Sequence, residues 1–244
     1  MLRRLFPPGA DVAPAELASG LRLGDLAPED RPYLVLNMVS TVDGKAAVGG
    51  RTAPISSPAD RELFHHLRTQ ADAVMAGAGT VRAERYGRMV KTDELRAKRQ
   101  HEGLEPDALA VVVSASLALD PNTPLFQEPE QRVVIATESE AELEGVRAQV
   151  EYERTGDDLT LLMKRLRTEH GVRSILCEGG PTLNSHLLAA GLVDELFLCL
   201  SAKLVGGGGA LTIVDGRPLV EPAPLELMWA CAGDGDVFFR WRVG

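Results

Sequence analysis

Three short stretches of this chain hold residues able to do chemistry, each where an apolar run gives way to glycine. In Asp43-Gly44-Lys45 a carboxylate and an amine stand two residues apart, a pair that can bind a polar ligand or pass a proton. The same Asp-Gly dipeptide is also what an ordinary solvated turn carries. In Gly77-Ala78-Gly79-Thr80 and in Glu178-Gly179-Gly180-Pro181-Thr182 the glycines let the backbone approach a ligand closely. Pro181 suits a first helical turn, whose unpaired N–H groups attract an anion, so this stretch reads as a phosphate cradle with Glu178 facing the same ligand. The Gly77 turn taken alone fits a tight strand-to-helix connection equally well. The four glycines at 206–209 read as a flexible hairpin or bulge.

The flanking patterns predict the elements that position these groups. Apolar runs at 33–38, 72–76, 108–113, 132–136, 174–177, 195–200 and 236–243 predict strands. The β-branched runs at 108–113 and 132–136 are those of parallel strands buried on both faces. Ser57-Pro58 opens a helix over 58–70, and Leu159, Leu162, Met163 and Leu166 line one face of a helix over 157–170 that Gly171 terminates. A third helix spans 181–190, a short one starts at Thr80, and the charged stretch 91–107 predicts a surface helix or flap. Residues 1–31, rich in Pro, Ala and Leu, read as an extension packed on the domain or on a partner subunit; 32–244 form a single domain. The fold class is α/β, with a central, mostly parallel sheet, helices on both faces and antiparallel C-terminal strands. Parallel strands would bring the three glycine-bounded ends to one sheet edge, where ligands bind.

Composition narrows the class. The 244 residues carry a net charge of −9 with no basic run, which argues against a nucleic-acid or anionic-membrane partner. The start breaks at Pro7-Pro8 and no apolar run reaches the roughly 18 residues of a membrane span, so a cytoplasmic protein is expected. Cys177, Cys199 and Cys231 are scattered in apolar runs as buried thiols, and the five histidines lack metal-ligand spacing, so no metal is expected. Arg82 stands where a dinucleotide fingerprint wants its third glycine, which disfavours a Rossmann domain.

The ordered stretches from Asn37 to Lys45, Ile55-Ser56-Ser57-Pro58, Gly77-x-Gly-Thr-Val81, Glu178-Gly-Gly-Pro-Thr182, and Leu192 to Leu196 with Lys203-Leu204-Val205-Gly206-Gly207 closely resemble the riboflavin-biosynthesis pyrimidine reductase domain. The resemblance implies a dihydrofolate-reductase-like fold, NADPH as cofactor and a homodimer. It implies reduction of 5-amino-6-(5-phosphoribosylamino)uracil, in which the ribosylamine opens to an imine that receives hydride. The His-x-Glu and Pro-Cys-x-x-Cys motifs of the zinc deaminase joined to the reductase in bifunctional relatives are absent from this chain.

Carried over by position, the resemblance puts Thr52, Arg68 and Glu178 at the substrate and Asp43, Lys45 and Glu178 as catalytic groups. It puts Val39, Pro54, Thr80, Glu84, Ser114, Gly179, Gly180, Pro181, Thr182, Leu183, Asn184, Ser185 and His186 at the cofactor. Arg82, Ser114 and Thr137 are available to its 2′-phosphate. Between Ala83 and Met89 the chain departs from the family's usual Ala-Asp-(Asp/Asn)-Pro-x-Leu-Thr-x-Arg, with Arg88 left as a possible phosphate donor. That departure keeps two alternatives open: a dihydrofolate or pterin C=N reductase, and a nucleotide-binding protein without turnover.

Overall fold

The apolar runs become the strands of one sheet in the computed structural model, which describes residues 1–207, 209 and 211–244. Gly208, within the glycine run 206–209, lies outside the described residues. In chain order the elements are β1 (Arg3–Phe6), α1 (Pro14–Leu17), β2 (Tyr33–Thr41), α2 (Pro58–Leu67), β3 (Ala73–Gly77), α3 (Ala78–Glu84), α4 (Asp93–His101) and β4 (Leu109–Val113). There follow β5 (Arg132–Ala136), β6 (Gln149–Glu153), α5 (Leu159–Thr168), β7 (Ser174–Cys177), α6 (Pro181–Ala189), β8 (Glu195–Ser201), β9 (Leu225–Gly233) and β10 (Asp236–Val243).

The strands form a 10-stranded sheet in the order β1-β9-β10-β8-β2-β7-β3-β4-β5-β6. From β8 to β6 every neighbouring pair is parallel. β10 pairs antiparallel with β8 and β9, and β1 antiparallel with β9. The period of two along each strand divides the core between the faces. Leu34 and Leu36 of β2 and Ala73 and Met75 of β3 pack with Leu162, Leu166 and Leu187 of α5 and α6. Val35 and Val39 pack on the other face with Leu63 and Leu67 of α2 and Leu17 of α1. Val74 and Ala76 share that second face with Val81 of α3 and with Leu125 and Phe126.

Helix starts follow local chemistry. Ser57 caps α2 by accepting the Asp60 N–H, with Pro58 in the first turn, and Asp158 caps α5 by accepting the Leu161 N–H. α3 and α6 instead begin at Gly77 and Gly180 with no side-chain cap, which leaves their first-turn amides free.

The structure extends the expected elements. β2 runs on to Thr41 because Ser40 and Thr41 still pair with Leu200 and Ser201 of β8. β1, β6 and β9 stand outside the expected strands; β1 and β6 are the sheet's two edges and carry charged residues, which mask the apolar alternation of a half-buried strand. Residues 1–31 contribute β1 and the buried Leu2, Val12, Leu17, Ala18 and Leu23. The charged stretch 91–107 contains α4, yet its Arg99 is fully buried and donates from Nη1 to the Arg68 and Ala71 carbonyls. Among the described residues no helix is long and apolar enough to cross a membrane.

Candidate active site

β7 lies between β2 and β3, so the ends of these three parallel strands meet at one sheet edge. There the backbone knits the two glycine turns together: the Glu178 N–H donates to the Met75 carbonyl and the Gly77 N–H to the Gly179 carbonyl at 2.7 Å. The Gly179–Gly180 peptide is cis. A Cβ on Gly180 would lie 2.9 Å from Thr80 Oγ1, so only glycine lets α6 approach α3 this closely.

Two clefts open at this edge and both are lined by Thr80. The first, of about 270 Å³, lies between the end of β2 (Asn37, Met38, Val39), the α2 face (Asp60, Arg61, Phe64, His65, Arg68), Thr52 and Ser56 before α2, residues 84–87, Lys91 and Glu178. Asp60, Phe64 and Arg68 fall four residues apart and so share one helix face. Arg68 and Glu178 form a buried bidentate pair, with Nε to Oε1 and Nη2 to Oε2 both 2.7 Å. The Tyr86 hydroxyl donates to Oε2 at 2.5 Å, and Arg68 Nη1 donates to the Met89 carbonyl. The guanidinium also lies over the Phe64 ring at 4.4 Å.

The electrostatics follow from this burial. Burial lowers a guanidinium's pKa, but the Glu178 carboxylate outweighs it and the Arg68 pKa is raised. Burial, then the Glu178 charge, pushes the Tyr86 phenol well above its ordinary value. His65 is lowered to about 4, by burial first and then by Arg68 and Lys91, and is uncharged at neutral pH. The Asp60 carboxyl is raised, chiefly by burial. The exposed cations Arg61, Arg85 and Lys91 stand at the rim.

The second cleft, of about 550 Å³, is an anion-type cradle. It is lined by residues 77–83 apart from Val81, by residues 113–118 apart from Leu117, by residues 156–159 apart from Asp158, and by Gly180, Pro181, Thr182, Leu183, His186 and Leu211. The uncapped first turn of α6 forms part of its wall, and both glycine turns border it. A phosphate-bearing nucleotide fits these groups, because the free first-turn amides of α6 border the cleft and favour an oxyanion.

Several residues named from sequence line these clefts: Val39, Thr52, Arg68, Glu84 and Glu178 the first, Ser114, Gly180, Pro181, Thr182, Leu183 and His186 the second, and Thr80 both. Glu84 falls on the substrate-type side, where Oε1 accepts the Thr52 N–H and fixes that loop. Arg88 is drawn away: it pairs with Asp107 and Glu130, and neither cleft includes it. Asp43 and Lys45 also fall outside both linings, because Asp43 accepts the Thr41 hydroxyl and the Val205 and Gly206 N–H groups instead. Asn184 is buried inward, donating to the Ile213 carbonyl, and Ser185 is buried too. Gly179 packs toward Met38, the Pro54 carbonyl accepts Lys203 Nζ, and Thr137 is buried.

Asn37, Ser56, Asp60, Phe64, His65, Arg85, Tyr86 and Lys91 are cleft residues that sequence reasoning did not single out. The four-residue spacing from Asp60 to Arg68 is the one signal that could have found two of them. Among the described residues no group of three His, Cys, Asp or Glu side chains could hold a metal ion.

The family model of the RibD C-terminal domain matches residues 32–239. The chain is 34% identical over 202 residues, covering 80% of it and 92% of the relative, to the 2,5-diamino-6-ribosylamino-4(3H)-pyrimidinone 5′-phosphate reductase of Archaeoglobus fulgidus. It is 35% identical to the protein of the same name from Methanothermobacter thermautotrophicus, covering 87% of this chain and 99% of that one. A pyrimidine reductase-like protein from Corynebacterium diphtheriae superposes with a TM-score of 0.78 at 23% identity, over 96% of this chain and 99% of that one, and so shares the fold.

Proposed function

Since the chain belongs to the RibD C-terminal domain family, we propose that it is an NADPH-dependent reductase acting on 2,5-diamino-6-ribosylamino-4(3H)-pyrimidinone 5′-phosphate. The observation that carries this reading is the pair of clefts that share Thr80 at the end of the parallel strands: one suited to a phosphate-bearing cofactor, the other bordered by charged side chains and sized for a small substrate. In that arrangement Gly180, Pro181, Thr182, Leu183 and His186 hold the cofactor's phosphates, and Ser114 and Arg82 border its ribose end. When bound, the cofactor supplies hydride.

The chain's own work is positioning. Arg68, Glu178 and Tyr86 form a rigid buried wall against which the pyrimidine is held. Arg61, Arg85 and Lys91 offer charged donors to the sugar phosphate, in place of Arg88. Glu84 fixes the Thr52 loop, and Asp43 fixes residues 205–206 at the end of β2. Orientation of donor and acceptor supplies on the order of 7–11 kcal/mol in ideal cases, so this architecture needs few groups that react themselves. The reading includes a cytoplasmic homodimer.

The test is cofactor oxidation by the purified protein with the diaminopyrimidinone substrate, with its deaminated uracil counterpart, and with dihydrofolate. Turnover is expected with the pyrimidines, faster with the diamino form and with NADPH than with NADH. Turnover of dihydrofolate alone would replace this reading with a pterin reductase.

A further inference from the structure

We infer that the Asp60 side chain delivers the proton to the substrate nitrogen during reduction, an inference that rests on the reductase reading above. The cleft's titratable groups point to it one by one. Glu178 accepts from Arg68 Nε and Nη2 and from Tyr86, and so is committed to the buried pair. Glu84 holds the Thr52 N–H. The Tyr86 hydroxyl is turned toward Glu178, and the His65 pKa is lowered to about 4, so its ring lacks the acidic imidazolium proton at neutral pH. Arg61, Arg68 and Arg85 do not release protons in water. Lys91 is exposed at the rim.

Asp60 differs from all of these. Asp60 is among the residues that line the cleft and is only 8% exposed. Its backbone N–H satisfies the Ser57 cap, and its side chain receives the Ser56 hydroxyl at 2.5 Å on Oδ2. Behind it stand Cys199 of β8 and Asp236 of β10, with Arg61 beside it. Burial raises the Asp60 pKa and the Asp236 charge adds to this, against the opposing pull of Ser56, Cys199 and Arg61. A buried carboxyl that borders a cleft and holds its proton more tightly than a free one is suited to act as a general acid.

The step balances. The imine carbon of the opened ribosylamine accepts hydride, with its two electrons, from the reduced nicotinamide, which leaves oxidised. The C=N π pair moves to nitrogen, and that nitrogen takes the proton from the Asp60 carboxyl, leaving a carboxylate that solvent reprotonates.

The experiment is the pH dependence of kcat and KM for wild type, Asp60→Asn, Asp60→Glu and Ser56→Ala, joined to infrared spectra of the free proteins. Because the protonated form is active, the wild-type rate should fall as pH rises through the Asp60 pKa. Asp60→Asn should lose about 10²-fold or more in kcat, with little change in KM or in cofactor affinity, and should lack that basic limb. Asp60→Glu should recover part of the rate. Removing the Ser56 hydroxyl, which favours the charged form, should move the limb to higher pH. The neutral-carboxyl stretch of the wild type should vanish from the Asp60→Asn spectrum. A near-wild-type kcat with the limb intact, a defect confined to KM, or an ionised Asp60 at neutral pH would each overturn the assignment. Wild type that reduces no pyrimidine would overturn the reductase reading and this inference with it.

Discussion

Glu178 is held by three donors and is largely buried, and that arrangement sets what its loss should do. Arg68 is 4% exposed and among the described residues its only carboxylate partner is Glu178. Glu178→Ala strands that charge and should destabilise the fold by about 3–5 kcal/mol in urea unfolding, whereas Arg68→Met combined with Glu178→Leu should lie closer to wild type than either single change. Additive single effects would show that the two side chains do not depend on each other. Glu178 was legible in the sequence because it ends an apolar run before two glycines, and Arg68 through family resemblance. Tyr86 was not, since a lone aromatic after a short helix carries no period that aims it at a carboxylate far along the chain.

Elements are joined at the site by loops whose fastening is electrostatic. Asp43, just past β2, takes hydrogen bonds from the Thr41 hydroxyl and the Gly206 and Val205 N–H groups, and these bring its pKa from 3.8 to about 2. A carboxylate whose folded pKa is depressed contributes stability that is complete above its unfolded value and is lost as pH falls through the folded one. The fastening should therefore hold at neutral pH and fail between about pH 4 and about pH 2. Asp43→Asn should speed hydrogen exchange of the Val205 and Gly206 amides at neutral pH; unchanged exchange would deny Asp43 this role. The apolar run of β3 and the β-branched runs of β4 and β5 were plain in the sequence, as was the Ser57-Pro58 start of α2. β1, β6 and β9 were not: the edge strands β1 and β6 carry polar and charged residues, and β9 leans on β1 and β10 rather than on its own pattern.

For the whole molecule, the first residues close one end of the sheet. β1 covers the edge of β9, and Leu2 and Val12 are buried in the core that also holds Val39 of the substrate-type cleft. Deleting residues 1–12 should lower Tm and promote self-association through the bared edge of β9, read by thermal denaturation and size-exclusion chromatography. Unchanged Tm and elution would make that segment dispensable. By itself the sequence determined the α/β class, most of the parallel strands, the uncapped glycine start of α6 and the family resemblance, because each is written in contiguous residues or in the period of one element. Only the tertiary structure decided the partners of the charged groups: Glu178 with Arg68, 110 positions away, Asp43 with the loop at 205–206, Arg88 with Asp107 and Glu130, and Asp60 inside the cleft. Spacing fixes which residues share a face of their own element. Which charge meets which across elements depends on distance and burial, and those exist only once the sheet has assembled.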